Sequence, residues 1–109
     1  MNTADRLIVY CTCPDAATAR KLAAEAVAAK AAACVNILPG LTSVFQWEGA
    51  VQTEDEYLLM IKTTGAAYPR LEAVLLEHHP YELPEVIAVP IERGLPGFLD
   101  WIAEETTPE

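Results

Sequence analysis

The chain has 109 residues, a mass of 11.9 kDa and a formal net charge of −9, from sixteen acidic side chains against seven Lys and Arg. That field repels a polyanion, so nucleic acid is not an expected partner, and the length suits one domain over residues 1–109. Hydrophobic residues make up 52% of the chain, a high fraction for so small a body, which points to apolar area covered by another subunit.

The start, Met1-Asn2-Thr3-Ala4-Asp5-Arg6, is polar, and the apolar run from Leu7 is too short for a leader or a membrane span. An odd number of cysteines, Cys11, Cys13 and Cys34, suits reduced thiols rather than a disulfide framework. Both features point to a cytoplasmic protein with no membrane partner.

Residues 6 to 12 are rich in Leu, Ile, Val and Tyr and read as a strand, and Asp15 is placed to cap a helix that runs to about residue 32. Ala19, Leu22, Ala23, Ala26 and Val27 form its apolar stripe; Lys30 breaks the pattern, so either the buried stretch ends before it or its stem reaches to solvent. Residues 34 to 38 form a second strand that Pro39-Gly40 interrupts as a bulge, and the extended run resumes from 41 to 47 up to a turn at Glu48-Gly49. The return strand over 51 to 63 makes a long hairpin, of the kind that reaches beyond its own domain.

A second helix follows over about 66 to 79, with Pro69 in its first turn, then a proline-bounded loop over 80 to 84. A short strand over 86 to 90 and a helical segment over 98 to 105 close the chain, and residues 106 to 109 are expected to fray. Strand, helix, strand, strand, helix, strand is the order of the split βαβ, an α+β ferredoxin-like sandwich with a C-terminal helix. Tyr57, Leu59 and Ile61 alternate with Leu58 and Met60, and Leu7, Val9 and Cys11 with Ile8 and Tyr10, so both sheet faces are apolar. Two helices cover one of them, which leaves the other for a neighbouring chain.

Cys11-Thr12-Cys13 sets two thiols on one strand face, a spacing that suits either two buried small residues or sulfur offered to a soft ion. Glu54 and Glu56 likewise share a strand face. His78-His79 ends a helix before Pro80; because adjacent helical residues diverge by about 100°, at most one of the two can serve a given ion. There is no G-x-S-x-G elbow, H-E-x-x-H, Walker loop or dinucleotide G-x-G-x-x-G, and the stretch after the first strand, Thr12 to Ala16, has no glycine for an acylphosphatase-like phosphate loop. No enzyme is expected.

Blocks along nearly the whole chain resemble the CutA family of divalent-cation-tolerance proteins: Cys11-Thr12 with Pro14-Asp15, Ala32-Ala33-Cys34-Val35-Asn36-Ile37 with Pro39-Gly40, and Ser43-Val44-Phe45-Gln46-Trp47-Glu48-Gly49. Glu56, Lys62-Thr63-Thr64, His78-His79-Pro80-Tyr81 with Pro84-Glu85, and Phe98-Leu99-Asp100-Trp101 continue the match. The resemblance implies a non-catalytic ferredoxin-like subunit in a tight homotrimer, long hairpins wrapping neighbours, and a link to divalent cations, copper above all; Trp47, at the tip of a long hairpin where it would otherwise be exposed, is the expected interface anchor. It also implies copper ligands at Cys11, Glu56 and His78, with Cys13 standing where alanine is more usual. With ordinary thiol and imidazole acidities, such a site binds more tightly as pH rises between about 5 and 8. A PII-like trimer binding a small molecule or protein partner at subunit clefts is the alternative that the same fold allows.

Overall fold

A computed structural model describes residues 5–108. Met1 to Ala4 and Glu109 lie outside it, and with them most of the polar start and the end of the expected frayed tail. The elements are β1 (Arg6–Cys13), α1 (Ala16–Ala28), β2 (Cys34–Trp47), β3 (Ala50–Thr64), α2 (Tyr68–His78), β4 (Val86–Pro90) and α3 (Pro96–Glu105). The sheet runs in the order β2-β3-β1-β4, antiparallel throughout. This is the ferredoxin-like split βαβ expected from the element order.

The core lies between one sheet face and the pair α1 and α2. Val9, Cys11, Cys13, Leu59 and Ile61 from the strands meet Ala19, Leu22 and Ala26 of α1 and Leu71 and Leu75 of α2, all fully buried. Alanines on the inner stripe of α1 bring its backbone close to the sheet. At its start, the Asp15 carboxylate accepts the Thr18 N–H at 2.7 Å, and this bond holds the pKa of the Asp15 carboxyl below its ordinary value.

α1 stops at Ala28, four residues before the expected end, although every residue of 31 to 33 is a strong helix former. Lys30 adopts φ 55°, a left-handed conformation that costs a side chain about 1–2 kcal/mol. Tertiary contacts offset it. Ala31 and Ala32 are buried, Thr63 Oγ1 donates to Ala31 O at 2.6 Å, and Ala33 N donates to Lys62 O at 2.8 Å, leading the chain straight into β2. The buried stripe therefore ends before Lys30.

The hairpin of β2 and β3 is longer than the sheet that carries it. β1 pairs with β3 only from Tyr57 to Thr64, so the part of the hairpin from Leu41↔Glu56 to Trp47↔Ala50 is a free two-stranded ribbon. The register shifts between Leu38 and Leu41, where Gly40 takes φ 83°, so Pro39-Gly40 is the bulge at which the ribbon leaves the sheet. Glu48 (φ 49°) and Gly49 (φ 81°) close its tip, the two positive φ values of a type I′ turn. Val44, Phe45, Trp47 and Val51 all stand exposed on this ribbon, whereas two strands alone are marginally stable in water.

α3 lies at the end of the sheet where β1 begins: Arg6 Nε donates to Leu99 O at 3.0 Å, and Ala33, Leu99 and Ile102 form a small second core with Ile91. The tail does not fray at once. Thr106 is buried, its hydroxyl donating to Ile102 O at 2.8 Å and lying 3.5 Å from the Thr64 hydroxyl. Away from α3, the sheet face opposite the main core carries Leu58 and Met60 half-buried and Leu38, Ile87 and Val89 exposed, so the second apolar face read in the alternation exists.

Candidate functional site

β1 ends at Cys13, level with Tyr57 of β3, and the loop after α2 folds back over this point. Cys11 and Cys13 are both fully buried. Their sulfurs make only weak contacts with carbonyls, Cys11 Sγ with Thr12 O at 3.8 Å and Cys13 Sγ with Tyr57 O at 3.9 Å. Burial pushes the Cys11 thiol up to about 12, with Cys13, Glu85 and Glu56 adding to the effect in that order. Burial, then Asp15 and Glu56, pushes Cys13 up to about 11. Among the described residues the charges that shift the two thiols are negative, and both thiols are protonated and unreactive at neutral pH.

Glu56 sits at the root of the ribbon, the first β3 residue beyond the reach of β1. Its carboxylate is buried and accepts the Tyr81 hydroxyl at 2.6 Å. Burial, this bond and the Glu56 charge together raise the Tyr81 phenol well above its ordinary value. Tyr81 is a site residue that the sequence reading left aside; its place in the His78-His79-Pro80-Tyr81 block was the available signal.

The two histidines part company. His79 lies on the β1 side, with Nε2 2.8 Å from Thr12 O, while its Nδ1 accepts the Tyr81 backbone N–H at 3.1 Å and its ring stacks obliquely on Tyr81 at 4.7 Å. Because Nδ1 is an acceptor here, the ring proton must be on Nε2, where it is donated to Thr12 O. Neither nitrogen then offers a lone pair to a metal. His79 is a brace that pins the loop to the end of β1.

His78 faces α1 instead, its Nε2 3.7 Å from Glu25 and 3.8 Å from Glu77, with 23% of its side chain exposed. It is the imidazole of the pair that a ligand can reach. Of the expected ligands, one chain brings Cys11 and Glu56 near each other and leaves His78 facing Glu25. Among the described residues of one chain, no three of His, Cys, Asp and Glu gather closely enough to hold a metal ion.

Residues 7–105 match the family described as CutA1 divalent ion tolerance protein. The divalent-cation tolerance protein CutA of Thermus thermophilus is 44% identical over 99 residues, which are 91% of this chain and 96% of that one. Its counterpart of the same name in Escherichia coli is 43% identical over 101 residues, 93% of this chain and 89% of the other. A solved structure of Cut A1 from Thermus thermophilus superposes with a TM-score of 0.91 at 43% identity, over 94% of this chain and 99% of that one. A structure from Archaeoglobus fulgidus, described as the periplasmic divalent cation tolerance protein CutA, superposes at 0.90 with 36% identity over 94% and 99% of the two chains. No helix among the described residues is long and apolar enough to cross a membrane.

Proposed function

Because the chain belongs to the family of CutA1 divalent ion tolerance proteins, we propose that it is a non-catalytic, single-domain subunit of a homotrimer that binds copper, with other divalent ions held more weakly. One observation carries this reading. At the end of β1 two thiols lie among Asp15, Glu56 and Glu85, and each of these negative groups raises the proton affinity of a sulfur beside it. A negative field of this kind favours a cation, and thiolate with carboxylate and imidazole is a ligand set that suits copper.

The proposed ligands are Cys11, Glu56 and His78. As His78 points away toward Glu25 in its own chain, the set is completed by a neighbouring copy. The exposed ribbon and the second apolar sheet face supply the surface that seats it: leaving such side chains wet forgoes about 1.5–3 kcal/mol each. The three free cysteines favour the reducing cytoplasm as its compartment.

Metal has to displace the proton of a thiol held near 12. Affinity therefore continues to climb well above pH 8, where a thiol of ordinary acidity would let it level off. Calorimetric titration of the wild type, Cys11→Ser and His78→Ala with copper tests the set. Both variants are expected to bind at least about tenfold more weakly, the equivalent of about 1.4 kcal/mol. Wild-type affinity in both would overturn the assignment.

A further inference from the structure

β1 stops at Cys13, opposite Tyr57, whereas β3 extends from Tyr57 through Glu56 into the ribbon. The last residue of a strand that ends beside a continuing neighbour is open to water unless something covers it, yet Cys13 is fully buried. The cover comes from the segment between α2 and β4, which belongs to neither helix nor strand. Tyr81 is close enough to Cys13, and Glu85 to Cys11, for their charges to interact.

Few bonds fasten this segment. His79 Nε2 donates to Thr12 O at 2.8 Å, between the two cysteines, and His79 Nδ1 accepts the Tyr81 N–H at 3.1 Å. The Tyr81 hydroxyl then donates to Glu56 at 2.6 Å, the only hydrogen bond that this carboxylate accepts among the described residues. Beyond it Glu82, Leu83 and Pro84 make no hydrogen bond among those residues, and Leu83 is 73% exposed. From Tyr81 to β4 the cover therefore hangs on one side-chain bond. Segments with so few bonds and buried contacts open locally at a far lower cost than the whole fold. Opening also leaves no buried unpaired charge, because Glu56 exchanges the phenol for water.

We propose that Pro80 to Glu85 form a lid over the thiol end of β1, braced by His79 and latched by Tyr81 on Glu56, and that its opening is the route by which a soft, thiol-binding cation reaches Cys13. The cation is that of the metal reading, on which this part rests; the lid itself is measured on the thiols with no metal present, so the two fail separately. The test alkylates the whole metal-free chain with iodoacetamide at about pH 8 in low, non-denaturing urea and locates the labels by fragment mass spectrometry. The half-buried Cys34 is the internal reference. In the wild type Cys13 is expected to react far more slowly than Cys34. In Tyr81→Phe its rate relative to Cys34 should rise about tenfold or more, the loss of one hydrogen bond to a charged group, while Cys11, two residues farther into the sheet, gains less. Since a lid opens without exposing the rest of the fold, the gain should not change with urea. Ile102→Ala, in the small second core, weakens the fold without touching the latch and should leave the urea-independent rate at Cys13 as in the wild type.

Three results would overturn the proposal. If Cys13 reacts no faster in Tyr81→Phe, the bond does not hold the cover. If the gain steepens with urea, or Ile102→Ala matches it, the thiol is reached through global unfolding. If wild-type Cys13 reacts as fast as Cys34, nothing covers it.

Discussion

The two buried thiols tie the stability of the metal-free protein to alkaline pH. In the unfolded chain Cys11 and Cys13 ionise near their ordinary value of 9.0, whereas in the folded chain they hold their protons to about 12 and about 11. A folded pKa raised above the unfolded one means that the unfolded state releases its protons first. The contribution is therefore fully present below pH 9 and is lost as pH rises toward the folded values. Each such thiol costs about 1.4 kcal/mol per pH unit, so the pair together gives a slope of about 3 kcal/mol per unit between pH 9 and 11. Over that window the loss is on the order of 5 kcal/mol, a large share of the stability of a small domain.

Guanidinium unfolding of the wild type and of Cys11→Ala and Cys13→Ala, at steps from pH 8 to pH 11, measures this. Each variant is expected to lower the slope by about 1.4 kcal/mol per pH unit. Thiol labelling of the folded protein at pH 8 should modify the half-buried Cys34 first and leave Cys11 and Cys13 protected. A midpoint that stays flat from pH 9 to 11 in the wild type, or labelling of Cys11 as fast as Cys34, would show that burial does not control these thiols.

Light scattering should give about three times 11.9 kDa for the wild type, and Trp47→Ala at the ribbon tip should loosen the assembly; a monodisperse monomer at micromolar concentration would refute the trimer. Tyr81→Phe removes the 2.6 Å bond to the buried Glu56 carboxylate, and a loss of about 1.5–3 kcal/mol is expected in chemical denaturation. An unchanged midpoint would mean that water replaces the hydroxyl without cost. Gly49→Ala puts a Cβ at φ 81° in the ribbon turn, where a destabilisation of about 1 kcal/mol or more is expected although no atom lies in its way; thermal unfolding compares the two.

The order of elements, the double apolar alternation, the Pro39-Gly40 bulge and the Glu48-Gly49 turn were all legible in the sequence. These depend on periodicity and on the φ preferences of single residues, and such properties act over a few neighbours. The same local logic failed at 29 to 33, where alanines signal helix and the Lys30 reversal cuts it short, because burial of Ala31 and Ala32 and the Thr63 hydroxyl come from distant parts of the chain. It also misjudged Thr106, which is held by Thr64.

At the candidate site the residue types were legible and their orientation was not. Sequence alone carried the expectation that at most one of His78 and His79 serves a given ion, from the divergence of adjacent side chains on a helix, although α2 ends at His78 and His79 is already extended. Only the tertiary structure decided that His79 is spent on Thr12 O and the Tyr81 N–H while His78 faces Glu25. The same holds for Arg70, which donates to the carbonyls of Lys30, forty residues before it, and Thr106, thirty-six after it. A side chain's partners across such separations are set by how the layers pack, and no pattern local to the side chain records them.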